Sequence, residues 1–367
     1  MRVLLAGGGS AGHVEPALCV AEVLRERGHE AFLLGTATGV ESTLVPARGF
    51  PLLTIGKAAF PRRLDAEALR FLPRLIRAVR DARRALITHE IDVVVGFGGY
   101  VAWPAYAAAR GLRPRIPMVV FSYDAKPGLA NRAAARWTPW RAVGVRGANG
   151  AFADAEYTGV PLRRAIVDLD RAGERPQAAQ RLGLDPLQQT LVVFGGSLGA
   201  ARLNAALVGC ADRILGAGWQ VLHITGSRNT EDLFASAAVA ERGRWRALPY
   251  LREMQDAYAV ADLVLARAGA GTCAELLATG LPAVLVPYAV GNGEQQHNAE
   301  ALAAGGGCAV LADQGLTSES LWLALQPLLA GADLRGLAGR AAAWSQQNRT
   351  AGAAQALADL VERAGRR

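Results

Sequence analysis

The sequence predicts an α/β protein made of two Rossmann-like domains in tandem, each built on a parallel sheet. Three observations carry this expectation. The chain has 367 residues, enough for two domains at roughly 100–200 residues each. Short apolar runs alternate with amphipathic or Ala-rich segments of helical length, the pattern of buried parallel strands covered by helices on both faces. Each half also opens in the same way, with a strand, a Gly-rich turn and a helix: MRVLLAGGGSAGHVEPAL from Met1 and TLVVFGGSLGAARLNAAL from Thr190.

Taken in order, Arg2–Ala6, Ala31–Leu34, Asp92–Gly96 and Met118–Phe121 read as strands of the first half, rich in Val, Leu and Ile. Thr190–Phe194, Gln220–Thr225, Asp262–Ala266 and Pro282–Pro287 repeat the pattern in the second half. Periodicity fades in the Pro- and Arg-rich stretch around Thr158–Pro176, where one domain passes to the next. The expected division is 1–163 and 164–342, followed by an Ala-rich helix with Trp344 over about 343–367.

Hydrophobic residues make up 51% of the chain and charged residues 20%, which excludes a disordered or fibrous protein. The balance of 40 Lys+Arg against 32 Asp+Glu gives a net charge of +8 and calls for an anionic partner: nucleic acid, a membrane surface or a phosphorylated substrate. The excess is concentrated. Between Gly56 and Leu86 stand nine basic residues (Lys57, Arg62, Arg63, Arg70, Arg74, Arg77, Arg80, Arg83 and Arg84) against Asp65, Glu67 and Asp81, a net +6. Leu69, Leu72, Leu75, Ile76 and Val79 recur through it at helical spacing, so the segment 57–84 reads as an amphipathic basic helix suited to anionic lipid headgroups. Part of its apolar stripe is expected on the core. No nucleic-acid module accompanies the charge, so nucleic acid is not the expected partner. No apolar run approaches the roughly 20 residues that span a bilayer, and the N-terminus lacks the layout of a signal peptide. Membrane contact is therefore expected to be peripheral.

Cys19, Cys210, Cys273 and Cys308 are scattered and form no C-x-x-C, which points away from a zinc cluster or a disulfide framework and towards a reducing cytosol. Neither metal nor cofactor is expected. Asp168-Leu169-Asp170 is a D-x-D, but it falls in the expected linker and reads as a solvated turn.

The chemistry concentrates in the Gly-rich strand exits, because a helix N-terminus presents free N–H groups and a partial positive charge to phosphate. Gly7 to Gly12 satisfies G-x-G-x-x-G, the dinucleotide fingerprint. Its confirming acid is missing: the second strand runs into Gly35-Thr36-Ala37-Thr38 rather than Asp or Glu, which argues against a nicotinamide or flavin enzyme. His13 follows at the helix start, where the dipole keeps an imidazole neutral and competent as a base. Gly98-Gly99-Tyr100 is a further strand exit on the same edge. Arg267-Ala268-Gly269-Ala270-Gly271-Thr272 leads to Glu275, an arrangement suited to phosphate on N–H groups and ribose hydroxyls on the carboxylate. Gln295, Gln296 and Asn298 crowd amides after the last strand, a density suited to sugars.

These motifs together resemble the MurG family of GT-B glycosyltransferases, glycosyltransferase family 28, in an actinobacterial form. The stretches are GGGSAGHVEPAL, GFGGYVAWPA, AKPGLANR (the family's A-x-P-G-L-A-N-R), GGSLGAARLN, ESTLVPARGFPLLTI and RAGAGTCAELLATGLPAVLVPYAVGNGEQQHNA, and the likeness spans essentially the whole chain. The resemblance implies a GT-B fold with two parallel sheets facing a central cleft, and transfer of N-acetylglucosamine from UDP-N-acetylglucosamine to lipid I at the cytoplasmic face of the cell membrane. It implies His13 and Glu275 as the catalytic set, with Glu275 on the ribose. Ser197, Ala270, Gly271 and Thr272 would follow the diphosphate, Leu251 would flank uracil, and Arg163, Gln295 and Asn298 would reach the donor. Ser10, Ala11 and Gly12 would meet the sugar and diphosphate from the first domain, with Tyr100 on the acceptor side. Asp124 and Asn131 would also lie in the substrate site, and the terminal helix would return to the first domain. One departure stands out: where the family reads H-E-x-N, this chain has Phe121-Ser122-Tyr123-Asp124. Asp124 can accept hydrogen bonds but cannot donate them. A different UDP-sugar or prenyl-phosphate-linked acceptor, a sugar-nucleotide epimerase and a donor-binding homologue without activity are the alternative readings.

Overall fold

The computed structural model describes residues 1–9, 11–58, 66–145, 152–196, 200–226, 243–289, 293–348 and 352–366. It divides into two compact units: Met1–Arg163 with Thr350–Arg367, and Arg164–Arg349.

The first unit carries a seven-stranded sheet in the order β3-β2-β1-β4-β5-β6-β7, with every pairing parallel. Its strands are β1 (Arg2–Ala6), β2 (Glu30–Gly35), β3 (Leu52–Thr54), β4 (Val93–Gly96), β5 (Met118–Ser122), β6 (Arg141–Val143) and β7 (Glu156–Tyr157). Its helices begin with α1 (Ala11–Glu26), α2 (Glu41–Ala47), α3 (Ala66–Thr88), α4 (Gly99–Gly111) and α5 (Leu129–Ala134). The order reverses between β1 and β4, the switch point beside which open α/β sheets bind ligands. Val3, Leu4 and Leu5 of β1 and Val93, Val94 and Val95 of β4 are fully buried, as expected for strands covered on both faces.

In the second unit α6 (Arg164–Val167) and α7 (Arg171–Leu182) precede a six-stranded sheet ordered β10-β9-β8-β11-β12-β13, again parallel throughout. The strands are β8 (Thr190–Phe194), β9 (Gln220–Ile224), β10 (Trp245–Leu248), β11 (Leu263–Ala266), β12 (Ala283–Leu285) and β13 (Cys308–Val310). Helices α8 (Ala201–Gly209), α9 (Ala211–Gly216), α10 (Met254–Val260), α11 (Ala270–Thr279), α12 (Glu294–Ala303), α13 (Ser318–Leu329) and α14 (Ala332–Asn348) cover it. Here the order reverses between β8 and β11.

The Arg-rich stretch at the passage between units is α7, and its arginines are spent within the second unit. Arg175 grips Asp262 with both terminal nitrogens, at 3.1 and 2.8 Å. Arg181 holds Asp256 through Nε and one terminal nitrogen, at 2.8 and 2.7 Å. Asp170 of the D-x-D caps α7, accepting from the Gly173 N–H at 3.1 Å. The terminal stretch forms two helices. Trp344, in α14, lies where a side chain at Gly305 would collide with its ring. α15 (Ala353–Gly365) packs on α1 in the first unit, where Arg27 reaches Asp359 at 2.6 Å and Glu362 at 3.1 Å.

Helix α3 splits its apolar residues between two faces. Ala78, Ala82 and Leu86 are buried in the core with Leu75 and Val79 packed beside them. Leu72, Ile76 and Ile87 are exposed, and the i, i+4, i+8, i+11, i+15 spacing of Leu72, Ile76, Arg80, Arg83 and Ile87 places them on one outward face. Among the described residues no ion pair involves Arg74, Arg77, Arg80, Arg83 or Arg84, all exposed.

The second core contains one buried imidazole. His223, in β9, meets the Asn204 Oδ1 at 3.1 Å, while the Asn204 amide donates to the Thr225 carbonyl at 2.9 Å. Burial pushes its pKa down to about 4 from 6.5, so the folded ring is neutral and its Nε2–H donates. As pH falls, the unfolded chain takes up this proton first. Stability should therefore decline from about pH 6.5 to about pH 4, by about 3 kcal/mol at most. Urea denaturation of His223→Gln across this range should have a correspondingly flatter pH dependence than the parent.

Candidate active site

At the first switch point two glycine exits are pressed together. A side chain at Gly99 would lie 2.9 Å from the Gly8 carbonyl oxygen, and one at Gly9 would lie 2.6 Å from the Tyr100 ring. Gly9, Gly98 and Gly99 have φ of 88°, 96° and 74°, open at low cost only to glycine. His13, third residue of α1, stands beside the second exit: its Nε2 is 3.4 Å from where a Gly98 side chain would begin. Its other flank meets Tyr123 edge-on, with centroids 5.2 Å apart. The ring is half-buried and held by packing in one place. Tyr123 follows β5 and precedes Asp124, so Asp124 is also brought to this edge, half-buried.

Tyr100 is tied on its hydroxyl side. Its Oη is 3.3 Å from the Thr36 Oγ1, Lys57 Nζ lies 6.0 Å from its ring centroid, and burial raises its pKa. Glu41, six residues beyond the end of β2 and absent from the residues the motifs single out, lies fully buried at the start of α2. Its carboxylate accepts from the Gly9 N–H at 3.0 Å and from the Thr36 N–H and hydroxyl, each at 2.8 Å. The sequence signal was present in the glycines that make room for it: a side chain at Gly35 or Gly39 would overlap Glu41 at 2.4 or 2.2 Å.

Asn131 stands behind this edge. It is 3% exposed, and its amide is engaged on both sides: Nδ2 donates to the Phe121 carbonyl at 2.8 Å and Oδ1 accepts from the Tyr106 hydroxyl at 3.0 Å. It braces β5 against α4 rather than presenting a free amide. Ala11 and Gly12 open α1, and Arg163 closes the first unit, half-buried. Ser10 and Ser197 lie outside the described residues.

At the second switch point β8 exits through Gly195-Gly196, and β11 exits through Arg267-Ala268-Gly269 into α11. Ala270, Gly271 and Thr272 form the first turn of α11 and offer its N–H groups. Arg267 braces the turn: it donates to the Val286 carbonyl at 3.0 Å and pairs at 2.7 Å with the buried Asp313, which also holds Arg202 at 2.9 Å. Further along α11, the Glu275 carboxylate accepts from the Tyr258 hydroxyl at 2.5 Å. Asn298 is buried, its Nδ2 donating to the Ala268 carbonyl at 3.4 Å, and the Gln295 Oε1 accepts from the Tyr288 N–H at 2.9 Å. Leu251 packs at the edge of the core cluster that contains Tyr258. Thus Leu251, Ala270, Gly271, Thr272, Glu275, Gln295 and Asn298 gather at the carboxyl ends of β10, β11 and β12. Among the described residues no group of His, Cys, Asp and Glu could hold a metal, and all four cysteines are free and buried.

Two doubly wound units, each with glycine exits at the point where its strand order reverses, make up the architecture that GT-B glycosyltransferases share. Two family models match: the glycosyltransferase family 28 N-terminal domain over residues 3–141 and the family 28 C-terminal domain over 190–357. A relative from Clavibacter michiganensis subsp. michiganensis is 49% identical, covering 98% of this chain and 95% of its own. It is named UDP-N-acetylglucosamine--N-acetylmuramyl-(pentapeptide) pyrophosphoryl-undecaprenol N-acetylglucosamine transferase. One from Acidothermus cellulolyticus with the same name is 46% identical over 99% and 98%. The crystal structure of Acinetobacter baumannii MurG superposes with a TM-score of 0.77 at 28% identity, covering 99% of both chains. The chain belongs to glycosyltransferase family 28.

Asn131 offers a direct test of its bracing role. Replacing it with Ala leaves the Tyr106 hydroxyl and the Phe121 carbonyl without their partners, at a cost of about 1–3 kcal/mol. Chemical denaturation should register that loss for Asn131→Ala, with Asn131→Asp intermediate.

Proposed function

We propose that the chain transfers N-acetylglucosamine from UDP-N-acetylglucosamine to the C4 hydroxyl of the N-acetylmuramic acid unit of lipid I, making lipid II for peptidoglycan synthesis. One observation carries this reading: relatives at 44–49% identity, matched over nearly the whole chain, are all named for that activity.

The transfer is one inverting displacement. The acceptor O4 forms a bond to the anomeric carbon as the bond from that carbon to the diphosphate breaks and its electron pair leaves with UDP. The O4 proton goes to His13. At the third residue of α1 the helix dipole disfavours an imidazolium, and Tyr123 and the Gly98–Gly99 turn hold the ring in position. The N–H groups of Ala270–Thr272 meet the charge that grows on the leaving diphosphate, preorganised by the Arg267–Asp313 brace and needing no metal. Glu275, oriented by Tyr258, accepts from the ribose hydroxyls. Leu251 flanks the uracil. Ser197 and Arg163 contact the donor, Gln295 and Asn298 serve the sugar end, and Ser10, Ala11, Gly12 and Tyr100 serve the first unit's side. Asn131 acts through the packing of β5.

Asp124 favours a second reading. In place of the family's asparagine it offers acceptors only, and its charge repels a diphosphate, so the second reading is the same transfer with another UDP-sugar as donor. Side-by-side assay of UDP-sugars on lipid I separates the two.

Helix α3 supports a peripheral position at the anionic cytoplasmic face of the membrane, where lipid I resides. Its outward Leu72 and Ile76 are 60% and 45% exposed, with the arginines around them. No helix among the described residues is long and apolar enough to cross a membrane.

With labelled UDP-N-acetylglucosamine and lipid I, the enzyme should form lipid II. His13→Ala should lower kcat by about 100-fold or more while calorimetry finds UDP affinity unchanged; retained turnover would remove His13 as the base. Glutamine at Arg77, Arg80, Arg83 and Arg84 together should weaken binding to anionic vesicles by up to about a thousandfold, at about 1 kcal/mol per arginine near the surface. Equal binding would leave α3 an ordinary solvated helix.

A further inference from the structure

Glu41 is the fully buried carboxylate that the transfer mechanism does not use. In a strand–glycine loop–helix unit, the loop N–H groups are where an anionic phosphate sits. Here the Gly9 N–H is already taken by the Glu41 Oε2, and the remaining oxygen takes both donors of Thr36. Gly8, Gly35 and Gly39 surround it, and a side chain at any of them would strike the Glu41 side chain within 2.9 Å. The seat is therefore shaped around a carboxylate. Burial works to raise the Glu41 pKa, but the N–H groups of Gly9, Glu41 and Thr36 and the Thr36 hydroxyl outweigh it and hold the group below the usual carboxylate range. The group is ionised at neutral pH.

The link continues to the surface. The Thr36 hydroxyl spends its hydrogen on Glu41, so its oxygen is left to accept from the Tyr100 hydroxyl at 3.3 Å. Tyr100 in turn lies across Gly9. We propose that Glu41 is a positioning residue of the acceptor side: an internal anion that takes the Gly9 N–H of the first glycine loop and, through Thr36, fixes Tyr100. This rests on the lipid I transfer reading, which places Tyr100 at the acceptor.

Glu41→Gln is nearly isosteric and tests the charge. Whichever end its NH2 occupies, it faces a backbone N–H, of Gly9 or of Thr36, and one donor loses its acceptor. The KM for lipid I should rise about tenfold, with the KM for UDP-N-acetylglucosamine and the calorimetric Kd for UDP within about twofold of the parent. An unchanged lipid I KM, both KM values rising together, or a fall in kcat alone that tracks the folded fraction would overturn the proposal. Thr36→Val, which cuts the link to Tyr100 and keeps the carboxylate, should move the lipid I KM in the same direction. Its failure to do so would also overturn the proposal. A second arm does not depend on turnover. Glu41→Ala opens a seat for a small carboxylate, so sodium formate should raise its Tm relative to equal sodium chloride and leave the parent unaffected. Absence of that formate effect would overturn the internal-anion assignment. A parent enzyme that makes no lipid II would refute the transfer reading instead, with the formate arm still deciding the seat.

Discussion

The close approach of the β1 and β4 exits is the constraint on which the first unit's site depends. Two parallel strands at the point of reversal send their helices in opposite directions, and the backbone at their ends converges. A side chain at Gly99 would come within 2.9 Å of Gly8, and one at Gly9 would enter the Tyr100 ring. Glycine at these positions lets the loops interlock. The interlocking then sets where His13 and Tyr100 stand, because each leans on the other loop's glycines. It also turns the Gly9 N–H inward, and an inward donor needs an acceptor. Glu41 answers that need from the far side of β2.

The second unit meets the same geometry with different chemistry. Its exit from β11 is braced by a guanidinium rather than a carboxylate: Arg267 reaches the Val286 carbonyl and the buried Asp313. Among the described residues no side-chain carboxylate accepts from the N–H groups of the first turn of α11. One unit thus satisfies a loop N–H with its own acid, and the other braces its loop with a base. The positive charge is used differently in two places: Arg175 and Arg181 of α7 are consumed on Asp262 and Asp256, whereas Arg74, Arg77, Arg80, Arg83 and Arg84 of α3 face outward.

The interior strands were legible because burial on both faces demands continuous apolar runs. Arg2–Ala6 and Thr190–Phe194 coincide with β1 and β8, and the other six predicted strands end within two residues of those observed. The edge and short strands β3, β6, β7, β10 and β13 escaped, since two to four residues such as Glu156–Tyr157 carry no readable period and take their conformation from the neighbour they pair with. The glycine exits, His13, Tyr100 and the α11 turn were legible because special backbone geometry restricts residue type. The bracing role of Asn131 was not, because it depends on Phe121 and Tyr106, ten and twenty-five residues away. The terminal segment likewise read as one helix, whereas α14 and α15 pack on different units.

By itself the sequence determined the class of fold and the two glycine-loop openings, because periodicity and glycine conformation are local properties of a chain. The tertiary structure alone decided which polar groups remain available. It turned Asn131 inward and set Glu41 under a loop more than thirty residues away in sequence. It also divided the apolar residues of α3 between core and surface. Those outcomes depend on which donors and surfaces the fold removes from water, and a buried N–H must find its acceptor wherever the packing brings one.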